Sequence, residues 1–179
     1  IGEPLNDDTG TDAGSVKIYN FSSSYTLDQE IVNPTDDNGE FGSAVALSGD
    51  GTLALIGAPE ADKALVYSYN GTDWIFVQTL TGVANSDFGR SVDISNDGSH
   101  LAVGAPAGSS NGQVFVYTYN SGNSMWEQSS TGTGSSSGDE FGFSVSLNSD
   151  GSLLAVGAPS ANSSAGTVQV FNTTQATLS

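Results

Sequence analysis

An all-β protein built from a repeated unit is what this sequence predicts, and three observations predict it. Three stretches of nineteen residues match one another without a gap, the apolar residues within them alternate, and Asp-Gly and Gly-Ala-Pro punctuate them at fixed places. The stretches are Phe41 to Pro59 (FGSAVALSGDGTLALIGAP), Phe88 to Pro106 (FGRSVDISNDGSHLAVGAP) and Phe141 to Pro159 (FGFSVSLNSDGSLLAVGAP). Counted from the Phe, all three share Phe-Gly, a small residue at the fourth place, Val at the fifth, Leu or Ile at the seventh and Asp-Gly at the tenth and eleventh. Successive Phe residues lie 47 and 53 positions apart, so the unit is about fifty residues long. A truncated copy opens the chain, because Ile1-Gly2-Glu3-Pro4 matches the ending Ile56-Gly57-Ala58-Pro59.

Each unit reads as strands in a fixed order. Val45/Leu47, Val92/Ile94 and Val145/Leu147 point one way along a first strand, since side chains two apart share a face. Asp-Gly then supplies a tight hairpin, where positive φ costs a glycine little. A more continuously apolar second strand follows (Leu53 to Ala58, Leu101 to Ala105, Leu153 to Ala158), and Pro, which cannot donate to a ladder, ends it. A Gly/Ser loop leads to an aromatic third strand, whose copies are matched as Val16 to Asn20, Val66 to Asn70, Val116 to Asn120 and Val168 to Asn172. A turn at that Asn leads to a fourth strand, at Trp74 to Leu80 in one unit and near Met125 to Gln128 in the next. Four antiparallel strands per fifty residues is the pattern of propeller blades.

The Phe-Gly and Gly-Ala-Pro units resemble FG-GAP repeats, the family found in the β-propeller of integrin α subunits and in many secreted and cell-surface proteins. The resemblance covers nearly the whole chain and implies an FG-GAP-type β-propeller of four-stranded antiparallel blades. Strand counting gives about three and a half blades in one partial propeller spanning 1–179: a partial blade at 1–35, blades at 36–83 and 84–135, and a partial blade at 136–179. Propellers have about 4–8 blades, and those of this family usually seven, so three arrangements stay open. The chain is a stretch of a longer protein, it closes with another copy, or it forms an open stack.

Composition narrows the function. With 3 Lys+Arg against 20 Asp+Glu the net charge is −17, and three scattered cations (Lys17, Lys63, Arg90) make no basic patch for nucleic acid or anionic lipid. No apolar run approaches the roughly 20 residues of a membrane helix, so membrane insertion is not expected. The chain has no Cys and one His, which removes disulfides, thiol nucleophiles and Cys- or His-rich metal clusters. His100 stands in the Asp97 turn where the sister units carry Leu53 and Leu153, and reads as a hairpin substitution. No spacing singles out a carboxylate pair of the glycosidase kind, and the chain is expected not to be an enzyme.

Calcium is the one cofactor the resemblance suggests, because integrin-type repeats often carry an Asp-x-Asp/Asn-x-Asp-Gly-x-x-Asp loop, whose oxygens suit a hard cation. Asp93, Ser95 and Asp97 come nearest to it, although Leu101 fills the place of the closing acid and the hairpin is one residue short. The first and third copies hold Ala46 and Ser146 where the first acid belongs. A second candidate is the acidic loop with Asp7, Asp8 and Asp12; turns and a solvated loop are the plainer readings of both. Glu40, Asp87 and Glu140 precede the Phe in every copy, and that recurrence argues for a role in the unit rather than in a ligand site. Tyr67, Tyr69, Tyr117, Tyr119, Trp74 and Trp126 are a sugar-stacking candidate whose alternation favours packing between blades. Asn20, Asn70, Asn162 and Asn172 head N-glycosylation sequons, and Ser129 to Gly138 reads as a flexible loop open to O-linked sugar.

The expected function is an extracellular, secreted or cell-surface propeller segment that acts as a structural or adhesive scaffold. Its partners would be other protein chains or the remaining blades of the same protein. The alternative is a calcium-dependent module of integrin-like type that binds protein or glycan, and a part of a carbohydrate-active enzyme ranks last.

Overall fold

The computed structural model describes residues 1–7, 11–34, 39–175 and 177–178. Its strands, in chain order, are β1 (Gly2–Glu3), β2 (Ser15–Phe21), β3 (Tyr25–Val32), β4 (Ala44–Leu47), β5 (Leu53–Ala58), β6 (Lys63–Tyr69), β7 (Trp74–Thr81), β8 (Ser91–Ile94), β9 (His100–Ala105), β10 (Gln113–Asn120), β11 (Met125–Thr133), β12 (Ser144–Leu147), β13 (Leu153–Ala158) and β14 (Thr167–Asn172). Within each sheet every strand pairs with its chain neighbour, giving four antiparallel sheets in the orders β1-β2-β3, β4-β5-β6-β7, β8-β9-β10-β11 and β12-β13-β14. Meanders of this kind need only short connections, so each fifty-residue unit builds its own sheet. The described residues after β14, 173–175 and 177–178, do not add a fourth strand beside it. Thr177 instead bridges Thr131 of β11 in parallel, and the Leu178 N–H donates to the Thr131 carbonyl (3.0 Å).

The sheets stack through their short first strands, with β8 against β4 and β5, and β12 against β8 and β9. Between the second and third sheets, Leu55, Ala64, Val66 and Leu80 pack on Phe88, Ile94, Leu101, Val103 and Tyr117. Between the third and fourth, Ala102, Val114 and Val116 pack on Phe141, Leu154, Val156 and Phe171. Phe41, Phe88 and Phe141 are fully buried, and each rests edge-on against an aromatic of its own third strand: Tyr67, Phe115 and Phe171, with ring centres 6.3, 5.4 and 5.8 Å apart. Burying one such ring is worth about 3 kcal/mol, so these three residues anchor the stack.

The glycines of the two motifs meet across the sheets. In Glu40–Ser43, Asp87–Arg90 and Glu140–Phe143 the acid's carbonyl accepts the N–H three residues on, and Gly42, Gly89 and Gly142 take φ of 97°, 100° and 91°, as a type II turn requires at its third residue. A methyl on Gly57 or Gly104 would fall on the carbonyl of Gly89 or Gly142 in the next sheet. Phe-Gly of one unit therefore receives Gly-Ala-Pro of the unit before it at backbone contact.

Strand pairing corrects one alignment made on the sequence. Gly2, Gly57, Gly104 and Gly157 face Val16, Ala64, Val114 and Val168, so Val66 and Val116 sit two places further along the third strand than Val16 and Val168. A slip of two keeps the same face, which is why alternation conceals it. In the first three sheets the third strand also meets a bulge in the fourth at matching places, after Ile18, Val66 and Val116. Each bulge turns the next side chain of the fourth strand toward the following sheet. Gln29 accepts the Trp74 N–H (2.7 Å) and donates to its carbonyl, Gln78 does both to Trp126 (2.9 and 2.8 Å), and Ser130 donates to the Thr173 carbonyl.

Candidate functional site

The Asp-Gly hairpins use up their own carboxylates. Asp97 accepts from the Ser95 hydroxyl (2.8 Å), the Ser99 N–H (3.0 Å) and the Ser99 hydroxyl (2.7 Å), and these hydrogen bonds hold its pKa down to about 2. Asp50 makes the same set with Ser48 and Thr52, and hydrogen bonds lower its pKa and that of Asp150 as well. Gly98 and Gly151 take φ of 71° and lie under the side chains of Leu53 and His100 from the preceding sheets. His100 thus occupies a packing position, and the Ser99 hydroxyl lies 2.8 Å from its Nδ1.

The calcium candidates are not gathered at one point. Asp93 turns to the next sheet and accepts the Leu147 N–H (2.6 Å) beside the Ile94 N–H, while Ser95 and Asp97 bond to each other within the hairpin. Asp7 accepts the Asp12 N–H (2.7 Å), and Asp8 lies outside the described residues. Among the described residues no group of three or more His, Asp or Glu is placed to hold a metal ion.

Glu40, Asp87 and Glu140 all take left-handed φ, at 51°, 55° and 56°, so their recurrence is that of a turn. The side chain that organises one of these turns is Asp62, which the sequence does not mark. Its carboxylate accepts the Asn85, Ser86 and Phe88 N–H groups and the Ser86 hydroxyl, fixing the approach to Phe88. Of the aromatic residues, Tyr67, Tyr117, Trp74 and Trp126 are buried, and burial pushes the two phenols up to about 12. Tyr119 is exposed beside Trp126, at 4.8 Å between ring centres, and lines a 430 Å³ cleft with Asp97, Ser99, Thr52 and Ser68. Asn20, Asn70, Asn162 and Asn172 are all exposed.

A larger concavity than the Tyr119 cleft lies elsewhere. A cleft of about 630 Å³ opens between the first sheet and the second, beside the core in which Val16 and Ile31 pack on Phe41, Ile56 and Tyr67, and is lined chiefly by Ile1, Val16, Ile18, Val45, Leu47 and Ile56. Its walls are almost wholly apolar, and one edge of β2 runs along it. The chemistry available there is burial and strand pairing, not proton or group transfer. Alternation on the first strand is the sequence signal for Val45 and Leu47; that they stay about half exposed depends on strand pairing.

Known proteins place these features in context. Residues 127–171 match the family described as FG-GAP repeat, so the resemblance drawn from the sequence is borne out over that stretch. No curated protein matches the chain. Among solved structures, a candidate 6-phosphogluconolactonase from Bacteroides uniformis is similar at 13% identity and TM-score 0.67, over 90% of this chain and 45% of its own. A protein from Lactobacillus plantarum shows 15% identity and TM-score 0.65, over 99% and 51%. Hydrazine synthase of Kuenenia stuttgartiensis shows 16% identity and TM-score 0.60, over 86% and 38%. The chain spans about half the length or less of these structures, and at such identities the likeness is one of fold.

Proposed function

We propose that this FG-GAP-repeat chain is a segment of a β-propeller, its four sheets being successive blades, about three and a half in number. Its role is that of a non-catalytic structural or adhesive scaffold in an extracellular or cell-surface assembly. The observation that carries this reading is where the molecule spends its side chains. Recurrent Phe, Gly, Asp and Gln residues are committed to turns and to contacts between sheets, whereas exposed apolar surface gathers at the two ends, around the first-sheet cleft and on Val168 and Val170, with Ile75, Phe76 and Val83 also exposed between them. Such surface marks contact with further protein. Four exposed sequons support a secreted, glycosylated chain, and three cations against 20 acids argue against nucleic acid as a partner.

Expression through a secretory pathway, followed by intact mass before and after enzymatic deglycosylation, tests the localisation. A mass loss that disappears on Asn→Gln substitution at Asn20, Asn70, Asn162 and Asn172 is expected; an unmodified secreted chain contradicts the glycoprotein reading. Calcium titration with a thermal readout tests the alternative of a calcium-dependent module. An unchanged melting temperature at millimolar calcium favours the scaffold, and a rise of several degrees favours the module.

A further inference from the structure

We propose that the cleft between the second and third sheets is a metal-independent subsite for a neutral pyranose sugar, which lies on the Tyr119 ring and gives its hydroxyl protons to Asp97, Ser99 and Thr52. Both sheets that bound the cleft have four strands, and it is walled by β5, β6 and β7 on one side and by the Asp97 turn and the β10–β11 turn on the other. Its volume of about 430 Å³ falls near the lower end for small-molecule sites, about 300–1,000 Å³. Leu53 and Val77, partly buried against the core between the sheets, supply an apolar wall, and Tyr119 is 40% exposed. A pyranose carries the matching surfaces, a face of C–H groups for an aromatic ring and a rim of hydroxyls.

The polar groups of the cleft are set as acceptors. The hydrogen bonds that Asp97 receives from Ser95 and Ser99 all fall on Oδ1, so its Oδ2 accepts none from the described residues. The Ser99 hydroxyl spends its proton on Asp97 (2.7 Å) and the Thr52 hydroxyl spends its own on Asp50 (2.9 Å), which leaves both oxygens with lone pairs to offer. Such a set calls for a ligand rich in donors. Asp97 is the one acid lining the cleft, against the hydroxyls of Thr52, Ser68, Ser99 and Ser124, a balance that suits a neutral polyol better than a cation.

The walls are fixed before any ligand arrives. The Trp126 indole N–H donates to the Gly98 carbonyl (3.0 Å), Gln78 holds the Trp126 backbone from the second sheet, and Glu127 accepts from the Asn120 and Asn123 amides (3.0 and 2.7 Å), tying down the turn that carries Ser124. Groups already ordered lower the entropic cost of binding. The next interface is built differently. His100 stands there in the place of Leu53, and Thr173, buried with its hydroxyl on the Gly151 carbonyl, stands in the place of Tyr119.

Methyl glycosides of glucose, galactose, mannose and N-acetylglucosamine test this when titrated into the isotopically labelled chain, with a metal chelator present, and followed by NMR. Saturable shifts at Ser99, Tyr119 and Ser124 are expected with at least one of the four. Tyr119→Ala should weaken that binding about tenfold, whereas Tyr119→Phe should change it about twofold at most, because the ring face carries the sugar. Tyr69→Ala, at the matching place in β6, should leave it unchanged. Ser68→Leu fills the cleft from the opposite wall and should abolish the shifts in a chain whose Trp126 amide stays protected. No saturable shift with any of the four sugars, binding that survives Tyr119→Ala or Ser68→Leu intact, or shifts confined to residues outside the cleft would overturn the proposal. Saturable shifts with ethylammonium and with none of the sugars would assign the cleft to a basic side chain and also overturn it. The scaffold role, tested by secretion and calcium, can fail while the sugar binds, and the sugar can fail to bind while the scaffold role stands.

Discussion

The interface between the second and third sheets and that between the first and second use the same motifs and are filled to different extents. In the former, both strands of the β4–β5 hairpin meet the next unit and Ile94 is buried; in the latter, that hairpin has no counterpart in the first sheet and Leu47 lies open. The fourth sheet repeats the contrast from the other side. Val114 and Val116 of the third sheet are fully buried, whereas Val168 and Val170, at the first and third of the corresponding places, are 72% and 65% exposed. Burial in this molecule is therefore conferred by the neighbouring sheet, and sequence pattern alone fixes only which face is offered. The first sheet departs in one more way: where the second buries Ala58 and Leu65, it carries Glu3 and Lys17, ion-paired at 2.7 Å with Glu30 at 3.8 Å from the ammonium.

The largest difference between the interfaces is expected at Gly-Ala-Pro. Gly104→Ala should cost about 2–3 kcal/mol in chemical denaturation, because its methyl strikes the Gly142 backbone. Gly157→Ala, in the same motif but facing only the Ser144 side chain, should cost about 1 kcal/mol or less. Equal costs would mean that the interlock between sheets contributes nothing. Next in size, Ile94→Ala should lose about 2–3 kcal/mol, against a few tenths for the matching Leu47→Ala, since a half-exposed side chain gives up little on truncation.

Gln78→Ala removes two hydrogen bonds to the Trp126 backbone and should cost about 1–2 kcal/mol, reported locally by faster exchange of the Trp126 amide. The smallest effect is one of pH. The folded pKa of Asp97 lies near 2, below its ordinary 3.8, so its contribution to stability is present above pH 4 and lost as pH falls through about 2. Asp97→Asn should flatten the melting temperature between pH 4 and pH 2 and leave its slope above pH 5 unchanged. An unaltered acid limb would place that dependence on other carboxylates.

Much of this architecture is legible in the sequence because its signals are local. Alternation at Val45/Leu47 and its copies, Asp-Gly turns, and Pro at strand ends each state a backbone conformation, and the strands formed where those signals lie. β9 begins one residue earlier than expected, at His100, and β11 runs on to Thr133, past the residues where its apolar pattern fades. Third-strand register was not legible, since a two-residue slip preserves the face on which alternation is judged. Asp62 and the Gln29 and Gln78 contacts were hidden because each acts across a loop or a sheet boundary. The cleft was hidden most deeply of all, as it is defined by the edge of β2 that β1 leaves unpaired.

Native-state hydrogen exchange reads the two interfaces in one molecule. If burial is conferred sheet by sheet, the amides of β9 that lie between stacked sheets exchange only with global unfolding. Those of β4 and of β2 beyond Lys17 then open with a free energy several kcal/mol lower. Equal protection in β4 and β8 would contradict the account, since the first interface would then be as complete as the second.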